Sequence, residues 1–266
     1  MNIKKIVGDC LALTAAGVVT VGATPPFMWY ATHSIQYYVG NGCNAGLNLG
    51  GSHNEASGFS NAVQAWGLPN TWYRYNRRDT ECIAARWSGT AAEVNQVDFL
   101  FYSGHGCGTG PYLGCSSAYS ITNWADIRFG GNGYLKWVQG SACCWFVAPE
   151  SDDCQSGMHP FDRWNNCFAG VHTIQGHRAN TFDYTDGQSM SAEFWSRWVN
   201  GNTIYMAWRE AQIHWVYEEE GNPGLQPATA AHDQLWGYEL FEDAEDVQAP
   251  SGIGYLGWTT VGTPTY

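Results

Sequence analysis

Two apolar runs in the chain end in residues that can carry out nucleophilic chemistry. The stretch VDFLFYSGHG, residues 97–106, contains His105, and the stretch LKWVQGSACC, residues 135–144, ends in Cys143 and Cys144. A thiol at its ordinary pKa is only a few per cent thiolate at neutral pH, and a neighbouring imidazole raises that fraction. The same imidazole can then protonate a leaving amine. These residue types are typical of acyl transfer through a thioester.

His105 and Cys143 each follow an apolar run, and this position predicts where the two side chains lie in the fold. Continuous apolar character indicates strands that are buried on both faces, as in a parallel sheet. Catalytic groups in such a sheet gather outside the carboxyl ends of its strands. We therefore expect neighbouring parallel strands that bring His105 and Cys143 to one edge. Gly104 and Gly106 allow a sharp turn there, and the backbone N–H groups of Gly106 and of the nucleophile could then point at a developing oxyanion.

Hydrophobic spacing along the chain predicts alternating strands and helices. Ala56, Phe59 and Val63 recur at helical spacing, and Gly67 with Pro69 ends that helix. Similar spacing predicts helices around 190–198 and 204–215. The predicted strands lie within residues 33–40, 71–80, 97–103, 134–142 and 167–176. Because no internal repeat interrupts this order, we interpret residues 24–266 as one α/β domain.

The motifs FLFYSGHG and KWVQGSAC resemble those of the caspase-like (clan CD) cysteine peptidases. In that family an apolar strand ends in His-Gly and a later apolar strand ends in Ala-Cys. The resemblance implies a caspase-like three-layer αβα sandwich with a mostly parallel central sheet. It also implies that His105 is the general acid and base, that Cys143 is the nucleophile, that the substrate is a peptide or protein, and that no cofactor is needed.

The nucleophile and the substrate preference stay open at this point. Cys144 is the alternative nucleophile, because one residue along a strand moves a side chain to the other face. The chain lacks the Gln-Ala-Cys signature of caspases, so the resemblance does not imply a preference for aspartate. Asp183 or Asp186 in the loop after the strand at 167–176 would favour Arg or Lys in the substrate. Arg178 in the same region would instead favour an acidic residue.

Charge and cysteine content indicate the environment of the protein. The formal net charge is −12, which disfavours a nucleic acid or an anionic membrane surface as a partner. Residues 1–23 have the layout of a secretory signal peptide, so we expect a secreted or cell-surface protein without a membrane span in its mature chain. Nine cysteines fit an oxidising compartment. The two pairings that we hypothesise are Cys107 with Cys115 and Cys154 with Cys167.

Two alternatives accompany the peptidase interpretation. A metal site is disfavoured because the cysteines between residues 143 and 167 lack the paired Cys-x-x-Cys spacing of structural zinc sites, so we predict no metal. A non-catalytic, disulfide-stapled module could bind peptides on the same fold without cutting them. Within the peptidase interpretation, water and an amine compete for the same acyl-enzyme. The sequence therefore predicts a cysteine endopeptidase or a thioester-forming peptide ligase.

Overall fold

The described part of the chain carries most of the predicted domain. A computed structural model describes residues 28–38, 48–67, 70–108, 110–113, 120–121, 124–147, 149, 158–179, 181, 187–215, 225–232 and 252–258. The predicted signal peptide at residues 1–23 lies outside these ranges. The described residues contain no helix that is long and apolar enough to span a membrane.

Two sheets are formed by the described residues. Their strands are β1 (Met28–Ser34), β2 (Thr71–Arg78), β3 (Phe99–Ser103), β4 (Gly106–Cys107), β5 (Gly110–Leu113), β6 (Ser120–Ile121), β7 (Trp137–Ser141), β8 (Thr173–His177), β9 (Pro227–Ala231) and β10 (Tyr255–Trp258). The large sheet has the order β10-β9-β8-β7-β3-β1-β2, and β4-β5-β6 form a small antiparallel sheet. Strands β2, β1, β3, β7 and β8 run parallel, and β9 and β10 complete the sheet antiparallel.

The first strand lies upstream of its predicted position. The sequence predicted a strand over residues 33–40, whereas β1 spans Met28–Ser34. Residues 28–34 pair with β2 on one side, and residues 30–34 pair with β3 on the other. After Ser34 the chain leaves the ladder, and Ile35 N–H donates to the carbonyl of Ser103 at the end of β3. The β-forming residues that follow, such as Tyr38, therefore belong to a loop at the carboxyl edge of the sheet.

Three helices cover one face of the large sheet. They are α1 (Ser52–Ala65), α3 (Gly187–Val199) and α4 (Ile204–Gln212), and the hydroxyl of Thr203 caps the first turn of α4. Phe99 and Phe101 point from β3 into this layer, because alternate residues of a strand face opposite sides. The rings of Phe59 and Phe101 are stacked with centroids 5.0 Å apart. Aromatic packing therefore holds α1 against β3.

The opposite face of the sheet is covered by short helical segments and loops. Leu100 and Tyr102 of β3 point to this side. They pack in a cluster with buried tryptophans from the α2 helix (Pro160–Asn165), from the 3₁₀ turn at Trp124–Asp126 and from the position directly after the 3₁₀ turn at Ala84–Arg86. With helical layers on both faces of a mostly parallel sheet, the structure confirms the predicted three-layer α/β sandwich.

The described cysteines correct the predicted disulfide framework. No disulfide joins two of them, and Cys167 carries a buried free thiol that donates to the carbonyl of Trp124 at 3.1 Å. Burial raises the pKa of this thiol well above its ordinary value. The predicted bond between Cys154 and Cys167 is therefore wrong. Cys154 and Cys115, the hypothesised partner of Cys107, lie outside the described residues.

Candidate active site

Strands β3 and β7 are parallel neighbours, as the sequence predicted. Ser103 at the end of β3 is in register with Ser141 at the end of β7. Beyond the last pair, the N–H of Gly104 still donates to the carbonyl of Ser141 at 3.1 Å. His105 and Cys143 each follow two residues after these paired ends. The sheet thus brings both side chains to its carboxyl edge.

The His105 backbone is held by two buried tyrosines. Its N–H donates to the hydroxyl of Tyr38 at 2.8 Å, and its carbonyl accepts from the hydroxyl of Tyr102 at 2.8 Å and from Tyr112 N–H at 3.0 Å. The Tyr38 ring packs against the imidazole with centroids 4.6 Å apart. Burial raises the pKa of both tyrosines far above 10.0, so their hydroxyls remain neutral. These contacts fix the backbone of the histidine while its ring stays half-buried.

The turn after β7 separates the two adjacent cysteines. Cys143 is half-buried, whereas Cys144 is fully buried and adopts a left-handed φ of 58°. The N–H groups of Cys144 and Phe146 donate to the carbonyls of Ala179 and His177, each at 3.0 Å. The Cys143 sulfur lies 3.3 Å from both the N and the O of Thr181. The turn therefore presents the Cys143 thiol at the edge and buries the Cys144 thiol.

His105 and Cys143 line the same cleft. The cleft lies at the carboxyl ends of β3 and β7 and has a cavity volume of about 60 Å³. Its floor and walls come from α1, from Leu49 three residues before α1, from the ends of β3 and β7 with the residues that follow them, and from the segment after β8. The lining residues are Leu49, Ser52, Glu55, Ser103, Gly104, His105, Ser141, Cys143 and Thr181.

A buried carboxylate in this cleft was missed by the sequence analysis. Glu55 is only 4% exposed, and its carboxylate accepts hydrogen bonds from the hydroxyls of Ser103 and, at 2.8 Å, Ser141. It lies in the first turn of α1, where the helix dipole favours negative charge. One signal could have found it: a helix that follows a parallel strand begins at the carboxyl edge of the sheet, so its first turn faces the site.

Gly106 lies directly against the backbone of the cysteine turn. A β-carbon at this position would be 2.7 Å from the carbonyl oxygen of Cys143 and 2.7 Å from Nε1 of Trp145. Neither atom is the end of a flexible side chain, so a larger residue would push the two turns apart. This close approach accounts for the glycine after His105.

We expect Gly106→Ala to destabilise the protein by about 1–3 kcal/mol, the usual cost of overpacking. The displaced turn should also slow alkylation of Cys143 by a small electrophile. Thermal unfolding together with mass-spectrometric labelling measures both effects. An unchanged unfolding midpoint with unchanged labelling would contradict the packing described here.

His177 contacts the buried side of the turn that carries Cys143 and Cys144. It lies at the end of β8 and is fully buried; its Nδ1–H donates to the carbonyl of Ala142 at 3.2 Å, and Nε2 lies 3.2 Å from the carboxamide oxygen of Gln212. Burial lowers the pKa of His177 from 6.5 to about 4. The imidazole is therefore neutral at pH 7 and acts as a support in the core.

This lowered pKa predicts an acid-sensitive fold. Because the unfolded chain binds the proton more tightly, stability is complete above pH 6.5 and falls as the pH drops toward about 4. The loss attributable to His177 is of order 3 kcal/mol. Denaturant unfolding between pH 7 and pH 4 should show a shallower loss for His177→Gln than for the wild type. His232→Gln, at a partly exposed position, is the matched control, and equal slopes for all three proteins would contradict the prediction.

Of the remaining residues that the sequence analysis placed near the substrate, only Arg178 lies within the described part of the chain. Asp183 and Asp186 lie outside the described residues, so their role as a substrate pocket stays a prediction. Arg178 follows β8 and its N–H donates to the carbonyl of Gln226 at 2.8 Å, but it is not among the residues that line the cleft. Across the described ranges, no group of three His, Cys, Asp or Glu side chains is arranged to hold a metal ion.

Comparison with known proteins assigns a family. A model of the domain of unknown function DUF6345 matches residues 33–252. The chain belongs to the DUF6345 family. The matched region of this DUF6345 chain contains β3, β7, β8 and the complete cleft. A comparison with curated proteins finds no significant match.

A solved structure similar to this DUF6345 chain is that of the Arg-specific cysteine proteinase gingipain R. The two chains are 10% identical with a TM-score of 0.40, and the match covers 85% of the DUF6345 chain. It covers 47% of the proteinase, so the chain spans about half the length of that protein.

Proposed function

We propose that this protein is a cysteine peptidase in which Cys143 is the nucleophile and His105 is the general acid and base. The observation that carries the proposal is the shared cleft at the ends of β3 and β7. Cys143 is preferred over Cys144 because an attacking thiolate must reach the substrate, and the Cys144 side chain is fully buried. The half-buried imidazole can take the thiol proton and return it to the leaving amine.

The backbone around the two residues supports the oxyanion part of this mechanism. Gly106 packs against the carbonyl of Cys143, so the turn after His105 and the turn after β7 lie side by side. In the proposed reaction, the N–H groups of Gly106 and Cys143 stabilise the negative oxygen of the tetrahedral intermediate. Thr181 N–H donates to the Cys143 sulfur at 3.3 Å, and the thiol donates to the Thr181 carbonyl at 3.3 Å until His105 takes its proton.

Glu55 supports a preference for a basic substrate residue. Its carboxylate lies in the cleft beside the reacting pair and has been removed from bulk water. The serine hydroxyls at the ends of β3 and β7 donate to both of its oxygens. A cationic Arg or Lys side chain compensates this charge, whereas an acidic side chain is repelled. The proposed substrates are therefore peptides with Arg or Lys before the cleaved bond.

Peptide cleavage assays test this function. The protein is incubated with matched peptides that carry Arg, Lys, Asn or Asp at one position, in the presence and absence of an added amine. Chromatography with mass spectrometry distinguishes hydrolysis from transfer to the amine, since both consume the same acyl-enzyme. Cleavage after Arg or Lys is the expected result. Reversible binding of these peptides without any cleavage would contradict a peptidase and favour the non-catalytic binding module.

A further inference from the structure

A second carboxylate, that of Asp79, joins three segments near the cleft. Asp79 follows β2 directly and adopts a left-handed φ of 46°, which is uncommon for a residue other than glycine. Its Oδ1 accepts from the N–H groups of Gln36 at 2.9 Å and Tyr37 at 3.0 Å. Its Oδ2 accepts from Nε2–H of His53 at 3.0 Å. Because these bonds hold the carboxylate from two sides, they compensate the cost of the backbone conformation.

The hydrogen bonds from Asp79 to Gln36 and Tyr37 connect it to His105. Gln36 and Tyr37 immediately precede Tyr38 in the loop after β1. Tyr38 is fully buried, its ring packs on the imidazole of His105, and its hydroxyl accepts the His105 N–H. The two N–H groups bound by Asp79 thus fix the loop that carries the contact partner of His105.

The hydrogen bond from Asp79 to His53 connects it to the first turn of α1 and to Glu55. His53 lies two residues before Glu55, and its Nδ1 accepts from the hydroxyl of Ser34 at 2.9 Å. Ser34, His53 and Asp79 are the residue types of a serine-nucleophile triad, but Ser34 is fully buried at the end of β1 and cannot meet a substrate. The chain of hydrogen bonds therefore anchors α1 to β1 and β2.

We propose that Asp79 is a positioning residue of the cleft, which orients His105 through Tyr38 and Glu55 through His53. Asp79 is not among the residues that line the cleft. Its effect on catalysis rests on the proposed peptidase function, whereas its effect on the orientation of His105 does not. Since a misplacement of about 1 Å costs about a hundredfold in rate, we expect kcat for an Arg peptide to fall about a hundredfold in Asp79→Gly.

Histidine NMR of the full chain tests the positioning directly. The ring of His105 is observed by ¹H–¹³C correlation in histidine-labelled protein and is assigned with His105→Gln. Asp79→Gly keeps the left-handed backbone accessible and removes the carboxylate. Asp79→Asn keeps an oxygen that accepts from Gln36 and Tyr37. Glu81→Ala, at an exposed position of the same 3₁₀ turn, is the matched control.

We expect the His105 resonance to move toward that of a solvent-exposed histidine in Asp79→Gly and to stay in place in Asp79→Asn and Glu81→Ala. Asp79→Ser replaces Asp79→Gly if the latter loses the native thermal transition. A His105 resonance unchanged by removal of the carboxylate would overturn the positioning role even if the wild type cleaves peptides. If the His105 resonance moves in Asp79→Gly but the wild type has no peptidase activity, the positioning role is upheld and only the proposed function is rejected.

Discussion

Cys143→Ala is expected to reduce peptide cleavage to background, a loss of about 10⁴-fold or more, because no other described thiol lines the cleft. His105→Ala should lower kcat by about 10²–10⁴-fold, the usual contribution of a positioned acid and base. The double variant should cleave the peptide at nearly the same rate as Cys143→Ala alone, since the two residues act on one step. Steady-state rates with the same Arg peptide measure all three variants.

Cys144→Ala is the matched control for these variants. It removes a thiol one residue away that is fully buried, so it should affect stability more than rate. We expect cleavage within a few-fold of the wild type. Loss of activity in Cys144→Ala with full activity in Cys143→Ala would identify Cys144 as the nucleophile. Full activity in both would contradict the proposed mechanism.

Glu55→Gln is expected to remove the preference for a basic residue. Truncating one partner of a buried charge pair costs about 2–5 kcal/mol. We therefore expect kcat/KM for an Arg peptide to fall about a hundredfold or more, because each 1.4 kcal/mol corresponds to a factor of ten. The side chain of glutamine still accepts from the hydroxyl of Ser103 or Ser141, so the cleft should keep its shape.

A peptide with citrulline in place of Arg is the matched substrate control. Citrulline has nearly the same shape without the charge, so the wild type should strongly prefer Arg, and Glu55→Gln should treat the two peptides alike. An Arg preference that survives Glu55→Gln would exclude Glu55 as its source. The source of the preference would then be sought in other carboxylates, such as Asp183 and Asp186, which the sequence analysis predicted at the substrate pocket.

The sequence predicted the parts of the site that depend on local pattern. The apolar runs before His105 and Cys143 indicated two buried parallel strands, and those strands are neighbours in the sheet. The sequence could not rank the two cysteines by exposure. That ranking depends on the left-handed turn at Cys144 and on its contact with the end of β8.

Features that depend on long-range contacts were missed. In the sequence, Glu55 looks like an ordinary acidic residue in the first turn of a helix. Its hydrogen-bond partners, Ser103 and Ser141, are separated from it by 48 and 86 residues along the chain. Strand β9, with the sequence PATAA, has little β-forming character and exists because β8 and β10 pair with it on both sides. The bond predicted for Cys167 was wrong because cysteine spacing carries no information on burial, and this thiol is enclosed in the aromatic core.

In the proposed mechanism, His105 and Cys143 act as one reactive pair. The most direct test of this mechanism is labelling of the folded protein with a peptidyl electrophile that carries Arg next to the reactive group, mapped by mass spectrometry. We predict modification of Cys143 that is lost in His105→Ala and kept in Cys144→Ala. Labelling of Cys143 that is equally fast without His105, or the absence of labelling at Cys143 with Arg, Asn and Asp probes alike, would contradict it.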